Sequence, residues 1–140
     1  MGELGIGPDD IAKLEPEVAY ITSNAEIEAI ALVSDTGYQV AYAAVPGYDV
    51  DSDSLCGISS ALSMTAKMAI QTMFNENLSE VIIRAGNGYM ITTSAGRFVI
   101  VGAGTNIPKL MKNVKVFRIA AKRIGTAFPG VWIRGWTRLA

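Results

Sequence analysis

Histidine is absent from the 140 residues. That removes the commonest general base, the imidazole of nucleophilic triads and the favoured nitrogen ligand for metals. A single cysteine, Cys56, rules out an intramolecular disulfide and the Cys-rich zinc frameworks, and it suits a reducing cytoplasm. No long apolar run exists. The most apolar window, Leu55 to Phe74, is broken by Ser59, Ser60, Ser63, Thr65, Lys67, Gln71 and Thr72, too polar for a lipid span of about 20 residues. The N-terminal stretch lacks the basic and apolar regions of a secretion signal, and Ile6 stands where the myristoylation pattern needs Ser or Thr. With no Walker A pattern either, the inventory favours a non-enzymatic binding module that needs no cofactor and no metal.

Half of the residues are hydrophobic and only 18% are charged, the composition of one compact globular domain. The formal net charge of −1 conceals a sharp division. Residues 1–56 carry eleven acids against Lys13 alone, whereas residues 57–140 carry eleven bases against Glu76 and Glu80. Because the totals nearly cancel, an acidic element beside a basic one within a single fold is favoured over a two-signed surface awaiting a charged partner.

Periodicity predicts a helix over Pro8 to Asn24, interrupted or restarted near Pro16. A β-hairpin follows, Ala25 to Ser34 and Tyr38 to Ala44, turning at Asp35-Thr36-Gly37. A second helix runs from Ser54 to Asn75, with Leu55, Ile58, Leu62, Ala66, Ala69 and Met73 as one apolar stripe and Ala61, Met64 or Thr65, Met68 and Thr72 on a neighbouring face. Lys67 is its only charge. A helix with its back to water normally shows a charged outer face, so a partner copy of the same helix is the economical cover. Three short strands, Ser79 to Arg84, Tyr89 to Thr93 and Arg97 to Gly102, form a meander. A third helix runs from Pro108 to about Thr126, with Lys109, Lys112, Lys115, Arg118, Lys122 and Arg123 outermost. Residues 1–126 thus form one domain, and residues 127–140 a tail with Trp132 and Trp136, which either cover an apolar groove of the same chain or anchor to a partner.

The isolated motifs resolve into structural readings. Asp49, Asp51 and Asp53 alternate like calcium-loop ligands, but Ser54 and Ser60 occupy the positions that need Gly and Glu, so helix capping is favoured. Gly102-Ala-Gly104 lacks the third glycine of a dinucleotide fingerprint, since Ile107 stands there. Arg84 and Arg97 are ordinary strand-end arginines before they are groups acting on a partner's nucleotide. The basic third helix lacks base-stacking aromatics on its charged face, so nucleic acid is not expected as a partner.

The order helix, hairpin, helix, three-strand meander, helix, with Ile30 to Gly37 (IALVSDTG) followed by Tyr38 to Ala41 (YQVA), the Ala-, Ser- and Met-rich central helix and the triplet Val81-Ile-Ile-Arg84, Gly88-Tyr-Met-Ile91 and Phe98-Val-Ile-Val101, resembles the roadblock/dynein light chain domain over about residues 9–124. It looks closest to the prokaryotic members that regulate small Ras-like GTPases. The resemblance implies an α/β (α+β) fold of profilin-like or longin-like type, a five-stranded antiparallel sheet with helices on both faces in the order α-β-β-α-β-β-β-α. It further implies a homodimer in which the third strands pair edge to edge and the central helices pack together. Val81 and Ile83, or alternatively Glu80 and Ile82, then lie at the sheet seam, and Ala61, Met64 and Met68, or the opposite stripe, form the helix contact. The first and third helices share the other sheet face. The implied function is a cytoplasmic, non-enzymatic scaffold or regulator that binds a Ras-like GTPase and modulates its nucleotide cycle or location. A small-molecule-sensing α/β domain and a motor or trafficking adaptor are the alternatives.

Overall fold

The computed structural model describes residues 7–129. Helix α1 (Pro8–Asn24) begins with the Asp10 carboxylate reaching back to accept the Gly7 N–H at 3.0 Å, and an acidic first turn suits the positive end of the helix. It runs unbroken through Pro16. Both Pro16 and Ala12, whose carbonyl loses its donor there, are exposed, so water can serve the vacated acceptor.

Strands β1 (Ala29–Ser34) and β2 (Gln39–Ala44) form the first hairpin, and β3 (Glu80–Ala85), β4 (Gly88–Ala95) and β5 (Phe98–Gly104) the meander. β5 returns beside β1, giving one antiparallel sheet in the order β2-β1-β5-β4-β3. Helix α2 (Ser52–Phe74) lies on one face; α3 (Leu110–Ala127), entered through a single 3-10 turn (Ile107–Lys109), lies on the other with α1 packed beside it. This is the expected fold class, topology and helix placement.

Strand alternation divides the core. On the α1/α3 face Ile30, Leu32, Ile91, Phe98 and Ile100 meet Leu14, Ile21, Val114, Phe117 and Ile124, forming the larger cluster. The opposite face is lined by small residues, Ala29, Ala31, Val33, Val99 and Val101, and meets only Leu55 and Cys56 of α2 among its buried apolar groups. Two glycines explain how the larger cluster closes. A Cβ on Gly102 would stand 2.4 Å from Phe117 Cζ, and one on Gly104 2.5 Å from the Tyr89 ring, so the Gly-Ala-Gly run makes room for aromatic rings. At the β4–β5 turn, Gly96 has φ +64° and a Cβ there would fall 1.9 Å from the Phe128 carbonyl oxygen, which accepts the Arg97 N–H.

A buried polar contact ties the layers. Asn113 of α3, fully buried, donates to the Glu26 carbonyl (2.9 Å) and the Tyr89 hydroxyl (2.7 Å) and accepts the Glu26 N–H (3.0 Å). One carboxamide thus holds the chain entering β1 and the start of β4 against α3.

Candidate functional site

The central helix does not bury the stripe its sequence suggests. Its buried residues are Leu55, Cys56, Ser59 and Ser63, while Ile58 and Met73 of the expected stripe are exposed. The cause is the sheet beneath: Ala29, Ala31, Val33 and Val99 permit close approach, which favours small side chains on the helix. The two serines are satisfied without water. Ser59 Oγ donates to the Leu55 carbonyl at 2.6 Å, and Ser63 Oγ donates to Thr92 Oγ1 at 3.4 Å.

Turning its serines inward leaves the large apolar side chains outside. Ile58, Met64, Met68, Met73 and Phe74 are each more than half exposed, with Met68 at 67% and Met73 at 72%. Ala61 lies on the same exposed side. Ile58, Met64 and Met68 share the side turned away from the buried serines, whereas Met73 and Phe74 are exposed on the last turn of α2. An apolar face of the first kind is what a second molecule commonly covers.

Next to it stands an open sheet edge. β3 pairs with β4 on one side and, among the described residues, with no strand on the other. Its register sets Val81 opposite Thr92 and Ile83 opposite Met90, so both side chains project from the α2 face, with Ile83 41% exposed. Glu80 and Ile82 point to the α3 face, where Arg118 holds both Glu80 oxygens in a bidentate pair. Ala61, Met64, Met68, Val81 and Ile83 therefore belong to one side of the molecule, whereas the alternative seam pair belongs to the other.

The charged helices lie side by side. Arg123 of α3 reaches Glu17 of α1 at 3.3 Å and stacks over the Tyr20 ring at 4.7 Å from its centroid. This ion pair joins the acidic and basic halves of the sequence, as their near-cancellation suggested, while Arg118 pairs within the basic half. Lys112, Lys115 and Lys122 remain exposed with no ion pair among the described residues, flanked by the exposed Met111 and Ile119.

The chemical motifs have structural uses. Asp51 caps α2, accepting the Ser54 N–H and hydroxyl at 2.8 Å each, and these bonds hold its carboxyl below the usual range. Arg97 lies over the Phe98 and Phe128 rings, and Arg84 is exposed on the edge strand. Burial pushes the Cys56 thiol up, with Asp53 adding to the effect. Among the described residues no group of three metal-ligating side chains converges, and no helix is long and apolar enough to cross a membrane. Trp132 and Trp136 lie outside the described residues. What sequence reasoning missed is the inward use of Ser59 and Ser63; the alanine-rich β1 (AIALVS) was the available signal that a close-packed helix would cover it.

Comparison with known proteins agrees with the geometry. No curated protein matches the sequence. Among solved structures, MglB from Myxococcus xanthus superimposes with a TM-score of 0.73 at 17% identity, over 87% of this chain and 92% of that one. An MglB described as having a tetrameric arrangement gives 0.71 at 13% identity, over 82% and 89%. Acanthamoeba castellanii profilin II gives 0.52 at 21% identity, over 79% and 98%. These likenesses concern the fold. The family model of the Roadblock/LC7 domain matches residues 17–103, from the middle of α1 to the end of β5, and on that match the chain belongs to the Roadblock/LC7 domain family.

Proposed function

We propose that the protein is a non-enzymatic homodimeric scaffold of the cytoplasm that binds a Ras-like small GTPase and modulates its nucleotide cycle or location. The observation that carries this reading is the coincidence of an open β3 edge with an uncharged, methionine-rich helix face on the same side of the sheet. Edge pairing of two β3 strands would continue the sheet across the twofold axis and satisfy the open backbone groups, while Ala61, Met64 and Met68 of the two copies meet. Val81 and Ile83 would border that seam. The isologous geometry is self-consistent, because one strand and one helix face are each their own partner.

Family membership and the MglB neighbours support a GTPase-directed role. Such a role needs no catalytic group in this chain, since reshaping a GTPase's switch segments requires only differential affinity for their two states. The test is co-elution with Ras-like GTPases loaded with GDP or a non-hydrolysable GTP analogue. Binding that differs between the two loaded forms is expected; equal absence of binding across a representative panel overturns the GTPase assignment and favours the adaptor alternative.

A further inference from the structure

The sheet face that carries α3 holds one hydroxyl with nothing to bond. Ile91, Thr93 and Ala95 of β4 alternate onto this face, and Ile91 and Ala95 join the larger apolar cluster. Thr93 between them is 3% exposed, yet its Oγ1 has no hydrogen-bond partner among the described residues. Its neighbours across the sheet are Ile100, which is apolar, and Glu80, whose two oxygens are both engaged by Arg118. A buried hydroxyl left in this state costs stability until something satisfies it.

Thr93 lines a cleft of about 380 Å³ between α3 and the strands, with Glu80, Arg118, Ala121, Lys122 and Gly125 among its other walls. Ala121 and Gly125, about one helical turn apart, carry little side chain, so helix and sheet leave a gap here. The volume lies at the small end of the range for ligand clefts. Its polar groups are mostly donors. The Glu80 carboxylate is spent on Arg118, which uses Nε and Nη2 for that pair and retains Nη1. Lys122 is exposed and makes no ion pair among the described residues. Arg118 and Lys122 against Glu80 leave one surplus positive charge at the cleft.

We propose that this cleft binds a carboxylate, one oxygen paired with the Lys122 ammonium and the other accepting the Thr93 O–H, with Arg118 Nη1 at the rim. The chemistry matches on each count. A carboxylate brings only acceptors to a site that offers donors, and its single charge equals the surplus. It also supplies the partner that Thr93 lacks within the fold. A phosphate dianion would exceed the charge available. The group can belong to a small free acid or to an acidic side chain of a protein, and both present the same two oxygens. The inference rests on neither the homodimer nor the GTPase reading.

The experiment titrates the full ¹⁵N-labelled chain with sodium acetate, lactate and benzoate, and with the amide of N-acetylglutamate as a mimic of an acidic side chain. Sodium chloride and inorganic phosphate at matched ionic strength are the controls. Amide shifts are followed at Thr93, Ser94, Lys122 and Gly125. At least one carboxylate should shift these amides saturably at millimolar concentration, beyond either control, and the tighter of the two kinds of probe identifies the source. Thr93→Val, which removes the hydroxyl and keeps the shape, should weaken binding about tenfold. It should also keep or raise Tm in the absence of ligand, since it deletes an unsatisfied group; a hydroxyl with a structural role would lower it. Lys122→Gln should weaken binding several-fold, whereas Lys112→Gln, an exposed charge on the same helix outside the cleft, should not. If Thr93→Val does not fold, Lys122→Gln decides, because that side chain is exposed. Shifts no larger than those of the controls, which would leave a hydrated cleft only, would overturn the proposal. So would binding indifferent to both cleft variants, or weakened equally by Lys112→Gln.

Discussion

Replacing Asn113 tests how the two helices of the larger core are tied to the sheet. Asn113→Ala removes the partner of the Glu26 N–H, the Glu26 carbonyl and the Tyr89 hydroxyl in a site with no exposed surface. At a net value of about 1 kcal/mol for each lost bond, the variant should be destabilised by about 3 kcal/mol. For a chain of this length that corresponds to a fall in Tm of roughly 9 °C. Asn113→Asp separates hydrogen bonding from volume. One carboxylate oxygen still accepts the Glu26 N–H, but the other now faces the Glu26 carbonyl, and burial together with nearby Glu26 and Glu28 raises the pKa of the new acid. An acid with a raised folded pKa binds more protons folded than unfolded, so its contribution to stability falls as pH rises from the ordinary carboxylate value through the folded one. Asn113→Asp should therefore approach Asn113→Ala or fall below it at pH 8 and recover towards pH 5, while the deficit of Asn113→Ala stays flat. Urea unfolding followed by far-UV circular dichroism at fixed protein concentration measures both. A deficit for Asn113→Ala below about 0.5 kcal/mol, set against the net value of a single bond, or a pH-independent Asn113→Asp, would refute the role assigned to this carboxamide.

Three further outcomes are expected. Gly96→Ala should destabilise far more than Gly47→Ala in the same urea assay, because both positions have positive φ but only at Gly96 does a Cβ meet backbone, 1.9 Å from the Phe128 oxygen. Cys56, buried and with its thiol pKa raised, should react with iodoacetamide at pH 8 much more slowly in the native protein than in urea, as mass spectrometry would show. Asp51, whose carboxyl is held below its usual 3.8 by the Ser54 bonds, stabilises the start of α2 fully above that value and loses the effect as pH falls beneath it. Amide exchange at residues 52–56 should accordingly quicken with acid in the parent relative to Asp51→Asn, after correction for intrinsic rates.

Much of the fold was legible because it is written in short-range signals. The turn at Asp35-Thr36-Gly37, the glycines between the last three strands and the apolar face of α3 fix element order, and short connections force antiparallel neighbours. The side-by-side placement of α1 and α3 was anticipated by resemblance and by charge. The orientation of α2 was not legible, since serines ordinarily face water, and their burial depends on which small residues the sheet presents from a distant part of the chain. The same long-range dependence hid Asn113, an isolated polar residue whose three partners lie 24 or 87 positions away. The exposed Met64 and Met68 could be selected from the helix's lack of charge, a property of composition that does not require knowing its neighbours.

The most direct test of the proposed assembly is solution mass by light scattering for the parent chain, a Met64→Glu/Met68→Glu variant and an Ile83→Lys variant. All three sites are exposed in the single chain, so the variants should keep their circular dichroism spectra. A dimeric parent that falls to monomer when charge enters the helix face or the seam is predicted. A monomeric parent, or a dimer indifferent to all three charges, would contradict the proposal that this face joins two copies.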